Sequence, residues 1–97
     1  MARRVELDHR GARIVVEYRP GLFEDPGFLA LVDQIRIHND ARLHARVLAL
    51  LVVSWRLPWG RHAAPITEEM VMGLPLDLTT AIVRAIGDDG YHARGGG

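Results

Sequence analysis

The residues of this chain that could do chemistry are its histidines, its single serine and a pair of adjacent acids. The histidines are His9, His38, His44, His62 and His92. A helical metal site places two histidines four residues apart, and no pair here has that spacing. The chain has no cysteine, so thiolate metal sites and disulfides are excluded. We therefore expect histidines solvated at helix ends and in loops, and no bound metal.

The serine and the acids do not form a catalytic group either. Ser54 lies between Val53 and Trp55, and a nucleophile there would need a base and an oxyanion hole that no neighbouring residue suggests. Glu68 and Glu69 are adjacent, so they do not face each other on a helix, and the helix dipole explains two acids in a first turn. No glycine-rich phosphate-binding motif is present. The sequence predicts a protein that is not an enzyme and has no cofactor.

The basic residues are all arginine, and twelve of them balance twelve acids. A net charge of zero gives no general attraction to nucleic acid or to anionic lipid. Five arginines fall in the first nineteen residues: Arg3, Arg4, Arg10, Arg13 and Arg19. A nucleic-acid-binding ribbon is therefore one hypothesis for this segment, and a solvated strand face with alternating charge is the other.

Apolar side chains are concentrated near a proline, in the stretch "TEEMVMGLPLDL". A short helix cannot bury all of them on one side, and methionine adapts to irregular partners as well as to irregular cores. Both interpretations, core filling and a surface that binds a partner, stay open from the residues alone. The candidate partner-binding residues are Trp59, Met70, Val71, Met72 and Leu74.

The elements that must position these residues form one domain over residues 1–97. Apolar residues alternate in "RVELD" and "ARIVVEY", which predicts a β-hairpin at about residues 4–19 with a type I turn and a bulge at Gly11. Helical periodicity predicts helices at about 26–38, 41–55, 67–73 and 75–87, followed by a flexible tail at 88–97. The predicted fold is α+β and mostly helical, with the N-terminal hairpin packed on a bundle of three to four α-helices.

The helix at 41–55 is apolar on most of its circumference, so we expect it to be the central element of the core. No apolar run approaches the roughly 18 residues that span a bilayer, and no apolar segment follows the first arginines as in a secretory signal. These features favour a soluble intracellular protein that does not enter a membrane.

The second half of the chain carries a resemblance to a known family. The segments "LALLVVSWRL" and "PITEEMVMGLPLDLTTAIVRAI" resemble the tail assembly chaperones of long-tailed, siphovirus-type bacteriophages, over about residues 48–86. In many of these a "V-x-S-W-D-L" segment precedes a loop and then "P-x-T-E-E-x-L-x-x-L-P-x-D-L-x-x-A-I-x-x-A-I". The matching residues are Ser54, Trp55, Leu57, Pro65, Thr67, Glu68, Glu69, Leu74, Pro75, Asp77, Leu78, Ala81, Ile82, Ala85 and Ile86. The chain departs from the pattern at Arg56, at Val71 or Met72, and in the loop "PWGRHAA".

The resemblance implies a non-enzymatic chaperone that acts in the host bacterial cytoplasm during infection and is absent from the mature virion. Such proteins bind the long helical tape-measure protein, keep it soluble and help recruit tail-tube subunits. In many of them a ribosomal frameshift produces a longer form that engages the tube protein, and the terminal "RGGG" is compatible with a slippery G-rich run of codons. The implied recognition is an amphipathic helix held in an apolar groove, with self-association of the chaperone adding avidity.

Two other functions remain as alternatives. One is another small phage morphogenesis protein, such as a head–tail connector component. The other is a small nucleic-acid-binding regulator that uses the arginine-rich hairpin, whose affinity for DNA would fall steeply with salt.

Overall fold

The protein has an α+β fold, which confirms the fold class expected from the sequence. A computed structural model describes residues 2–38, 40–63 and 65–93. In chain order the elements are β1 (Arg3–His9), β2 (Ala12–Tyr18), a 3-10 helix (Pro20–Glu24), α1 (Pro26–His38), α2 (Ala41–Leu51), β3 (Val52–Leu57), β4 (Gly60–Ala63), α3 (Glu68–Met72) and α4 (Leu76–Ala93). The strands form one antiparallel sheet in the order β1-β2-β3-β4. Among the helices described, none combines the length and the apolar character needed to cross a bilayer.

The hairpin of β1 and β2 is present, but its turn differs from the predicted one. His9 pairs with Ala12, which leaves a loop of two residues, Arg10 and Gly11. Both have positive φ, 52° and 82°, instead of the type I geometry with a bulge that the sequence suggested. Positive φ at both loop positions is the feature of the mirror-image turns whose twist matches that of the flanking strands, and this is the physical reason for the difference.

The predicted helix at 41–55 ends early, at Leu51, and the chain continues directly as strand β3. At Val52 the backbone is already extended, with φ −80° and ψ 128°. The β3 sequence "VVSWRL" is rich in β-branched and aromatic residues, and pairing with β2 places Trp55 opposite Val16, where it is buried. The segment predicted to be a loop contains strand β4. A second hairpin therefore extends the first into a four-stranded sheet.

The core lies between one face of the sheet and the helices. Strand β2 alternates, so that Ile14, Val16 and Tyr18 are buried while the residues between them are less so. Helix α2 contributes four core residues and is the central helix, as expected: Ala45, Val47, Leu48 and Leu51. Helix α4 contributes Leu78, Ile82 and Ile86. The opposite face of the sheet carries mostly charged and polar side chains, including Arg4, Glu6, Arg13, Arg56 and Arg61.

Helix α4 continues through residues that were predicted to form a flexible tail. It ends at Ala93 instead of near Gly87, and residues 94–97 lie outside the described part of the chain. Tertiary contacts account for the extension. The Tyr18 hydroxyl donates a hydrogen bond to Asp89, and Arg3 Nε donates another to the same carboxylate at 3.0 Å. Gly90 is buried against the Phe23 ring.

Two glycines of α4 are expected to respond in opposite ways to alanine. A Cβ at Gly90 would lie 2.8 Å from Phe23 Cε2, and that ring is held edge-on by both Tyr18 and Phe28. We expect Gly90→Ala to lower the free energy of unfolding by about 1–3 kcal/mol because the core becomes overpacked. At Gly87 such a Cβ would meet nothing within 4 Å apart from its chain neighbours and the helix's own backbone, so Gly87→Ala should raise stability by about 0.5–1 kcal/mol. Urea denaturation of both variants tests this, and equal effects would contradict the close packing of Gly90 on Phe23.

Candidate protein-binding cleft

Helix α3 is short, and local capping fixes both of its ends. Thr67 is the N-cap, and its hydroxyl accepts a hydrogen bond from the backbone N–H of Met70 at 3.2 Å. Glu68 and Glu69 occupy the first turn, where carboxylates are favourable. At the other end the N–H of Gly73 bonds to the carbonyl of Glu69, and Pro75 precedes α4. The two helices predicted on either side of the proline are both present.

The apolar residues of α3 divide between three environments. Val71 is only 1% exposed and belongs to the hydrophobic core, so its prediction as a partner-binding residue is wrong. Met72 is 48% exposed and lies beside Arg42 and Arg46 of α2. Met70 and Leu74 are half-buried at the edge of the core. The burial of Val71 follows from the packing of α3 against α2, which the sequence did not reveal.

Met70 and Leu74 face the β3–β4 hairpin across a cleft of about 280 Å³. We call it the Trp59 cleft; its lining residues are Trp55, Leu57, Trp59, His62, Met70, Gly73 and Leu74. Three of the five predicted partner-binding residues, Trp59, Met70 and Leu74, are therefore brought together. The other two, Val71 and Met72, do not line this cleft.

Trp59 is the most exposed of the aromatic side chains that the structure describes, with 60% of its surface accessible. It lies in the turn between β3 and β4, and its other side borders a second hollow of about 190 Å³ that also includes Pro58, Pro75 and Leu78. At the rim of this hollow the Asp77 carboxylate forms an ion pair with Arg10 at 2.7 Å and lies 3.2 Å from His9 Nε2. An exposed indole between two hollows is suited to bind an apolar side chain from outside.

Two of the residues that line the Trp59 cleft each contain a buried polar nitrogen. Trp55 and His62 are cross-strand neighbours on β3 and β4. Among the described residues neither the Trp55 Nε1 atom nor the His62 Nδ1 atom has a hydrogen-bond partner, although both atoms are buried. A buried polar atom without a hydrogen-bond partner lowers the stability of a protein by about 1–3 kcal/mol. Such atoms are therefore rare in protein interiors.

The residues examined for catalysis are dispersed. Ser54 lies on β3 and is 9% exposed, at the charged face of the sheet and not in a helix as predicted. Glu68 lies 3.9 Å from Arg46, an ion pair of the helix surface. His44 is buried, with its Nδ1 atom 3.1 Å from the carbonyl of Asp40. Within residues 2–38, 40–63 and 65–93 no group of three or more histidines and acids could hold a metal ion.

The arginines of the N-terminal hairpin are engaged within the protein. Arg3 pairs with Asp89, Arg10 with Asp77, and Arg13 with Glu6. Arg4 lies 4.0 Å from Glu6, and Arg19 donates a hydrogen bond to the carbonyl of Leu50 at 2.8 Å. A phosphate that bound at the first hairpin would have to compete with these internal partners.

Strands β3 and β4 contribute three residues to the cleft that were not predicted from the sequence, namely Trp55, Leu57 and His62. The signal was present: "VVSWRL" and "GRHA" flank Pro58-Trp59, a proline-containing turn, and β-branched and aromatic residues dominate the first segment. It was hidden because the apolar pattern of α2 runs on without interruption into Val52 and Val53.

Comparisons with protein-family models, with curated proteins and with solved structures find no match to this chain. A function is therefore inferred from the cleft itself and from the resemblance of residues 48–86 described above.

Proposed function

We propose that this protein is a non-enzymatic tail assembly chaperone of a long-tailed bacteriophage, which binds the tape-measure protein through the Trp59 cleft and keeps it soluble. The observation that carries the proposal is the exposed Trp59 beside the half-buried Met70 and Leu74. The resemblance of residues 48–86 supplies the identity of the partner.

The cleft suits an amphipathic helix. A helix presents apolar residues at three- and four-residue spacing, and such residues bind in an apolar groove without any chemical step. Met70 can change rotamer to fit successive segments of a long partner, since methionine is unbranched and polarizable. Tryptophan is frequent among residues that dominate binding energy, and Trp59 is the candidate for that role here.

The wider proposal follows the family. The protein would act in the host bacterial cytoplasm, help recruit tail-tube subunits, and engage the tube protein through a longer frameshifted product. Several copies along one partner would gain avidity, so self-association is part of the proposal. A nucleotide sequence with no slippery run and no overlapping downstream frame would remove the frameshift component alone.

Co-expression with the proposed partner, the long helical tape-measure protein of the same phage, tests the proposal. We expect the partner to be soluble with the wild-type chain and largely insoluble with Trp59→Ser, because loss of a binding hot spot of 2 kcal/mol or more weakens affinity by about 30-fold. The measurement is the soluble fraction of the partner.

Ile37→Ser is the matched control, since Ile37 is an equally apolar residue of α1 that is 75% exposed and does not line the cleft. It should leave the partner soluble. A partner that is equally insoluble with and without the wild-type chain would exclude the chaperone function. Equal loss of rescue in both variants would exclude the Trp59 cleft as the binding surface.

A further inference from the structure

The charged face of the sheet, opposite the helices, holds two arginines side by side. Arg56 of β3 and Arg61 of β4 are register partners on neighbouring antiparallel strands, and both are exposed. Like charges directly opposite each other destabilise a sheet. The pair therefore works against stability at this position, and some other gain is expected to accompany it.

Arg56 and Arg61 form no ion pair with the residues that the structure describes. Within the described part of the chain neither Arg56 nor Arg61 lies within 4.0 Å of a carboxylate, whereas Arg3, Arg10 and Arg13 all do. Glu6 and Asp8, which pair with Arg13, lie on β1 at the far side of the sheet. The acids of this face thus belong to the first hairpin, and none of those that the structure describes forms an ion pair with a guanidinium group at the β3–β4 end.

A shallow hollow of about 240 Å³ lies over this end of the sheet, and Arg4, Ser54, Arg56 and Arg61 all line it. Guanidinium groups bind planar oxyanions through two parallel hydrogen bonds, and the serine hydroxyl adds a further possible donor. We propose that this hollow, the Arg56–Arg61 site, binds carboxylate side chains of an acidic segment of a partner protein.

Charge complementarity favours a protein carboxylate over nucleic acid. A nucleic-acid backbone needs an extended basic track, because it carries a phosphate at every nucleotide. Here the basic region is short: Glu17 lines the same hollow, and Glu6 and Asp8 lie beyond it on the same face. A symmetric contact with a second copy of this chain is disfavoured at the site, since it would bring the same two arginines to it. One or two carboxylates on a protein segment match the site, because the three arginines that line the hollow outnumber Glu17.

The Arg56–Arg61 site does not depend on the proposed chaperone function. It lies on the opposite face of the β3–β4 hairpin from the Trp59 cleft, because Trp55 and His62 face the helices while Ser54, Arg56 and Arg61 face outward. The protein therefore has two separate surfaces of different chemistry, one apolar and one cationic.

Fluorescence anisotropy with a labelled peptide of alternating glutamate and serine tests the site in the full chain. We expect this peptide to bind at low salt, and the double variant Arg56→Gln/Arg61→Gln to weaken binding by about tenfold or more, the effect of losing charge-assisted hydrogen bonds. The same peptide with glutamine in place of glutamate should not bind. Trp59→Ser should bind the glutamate peptide normally, which separates this test from that of the chaperone function.

The matched control is Arg36→Gln/Arg84→Gln, which removes the same charge from exposed positions on α1 and α4. It should retain binding. Loss of binding equal to that of the Arg56/Arg61 variant, or no binding of the glutamate peptide to the wild-type chain, would overturn the proposal. Arg56- and Arg61-dependent binding of a single-stranded oligonucleotide in preference to the peptide would overturn it as well.

Discussion

Replacing Val71 with asparagine is expected to destabilise the protein by about 3 kcal/mol or more. Val71 is 1% exposed in the core, where α3 packs against α2. The substitution removes apolar contacts and buries an amide that has no partner there, and each of these effects is costly. Because a domain of this kind has a total stability of about 5–15 kcal/mol, the variant should show a large decrease in the urea midpoint or should not fold.

The neighbouring residue provides the control. Met72 differs from Val71 by one position but is 48% exposed, so Met72→Asn should change the free energy of unfolding by less than about 1 kcal/mol. Urea denaturation curves of the two variants, followed by circular dichroism, distinguish a core residue from a surface residue within the same helix. Similar midpoints for the two variants would contradict the placement of α3.

Stability is expected to fall between about pH 10 and pH 12 because of Tyr18. Burial of the phenol, followed by its hydrogen bond to Asp89, raises the pKa of Tyr18 to about 12. The folded state therefore holds the phenolic proton more tightly than the unfolded state, whose tyrosine pKa is near 10. The resulting stabilisation is complete below pH 10 and is lost as the pH rises toward 12. Two pKa units correspond to about 2.7 kcal/mol at most.

Urea denaturation at a series of pH values measures this effect, with Tyr18→Phe as the control. The variant lacks the ionisable group and should lose most of the decline between pH 10 and 12, while being less stable than the wild type near neutral pH. Arg3 stays charged throughout this window, since its hydrogen bond to Asp89 raises its already high pKa. An unchanged decline in the variant would assign the effect to groups other than Tyr18.

The sequence predicted those elements whose boundaries are encoded locally. Asp25 precedes Pro26 at the start of α1, and its carboxylate accepts a hydrogen bond from Phe28 N at 2.8 Å. Asp40 caps α2 in the same way through Arg42 N. Thr67 is the N-cap of α3 and Gly73 is its C-cap. These signals act over three or four residues, so they could be recognised without knowledge of the tertiary structure.

The elements that were mispredicted depend on contacts between residues far apart in the chain. Val52 to Leu57 continues an apolar helical pattern, and it becomes a strand because β2 offers it a pairing partner. Residues 88–93 looked polar and unpacked, and they are helical where Asp89 meets Tyr18 and Gly90 meets Phe23. In both cases tertiary contacts outweighed the weak local preference.

At the candidate site, the amino-acid pattern alone indicates more apolar side chains than α3 can bury, with Trp59 in a loop that precedes them. Their division became visible in the folded chain, where Val71 enters the core while Trp59, Met70 and Leu74 line one cleft. Likewise, the second hairpin placed Arg56 opposite Arg61 on the outer face of the sheet. The physical reason is the same for both sites. The composition of a segment sets how many apolar and charged side chains the fold has to accommodate. Whether each of them is buried or exposed depends on neighbours from elsewhere in the chain.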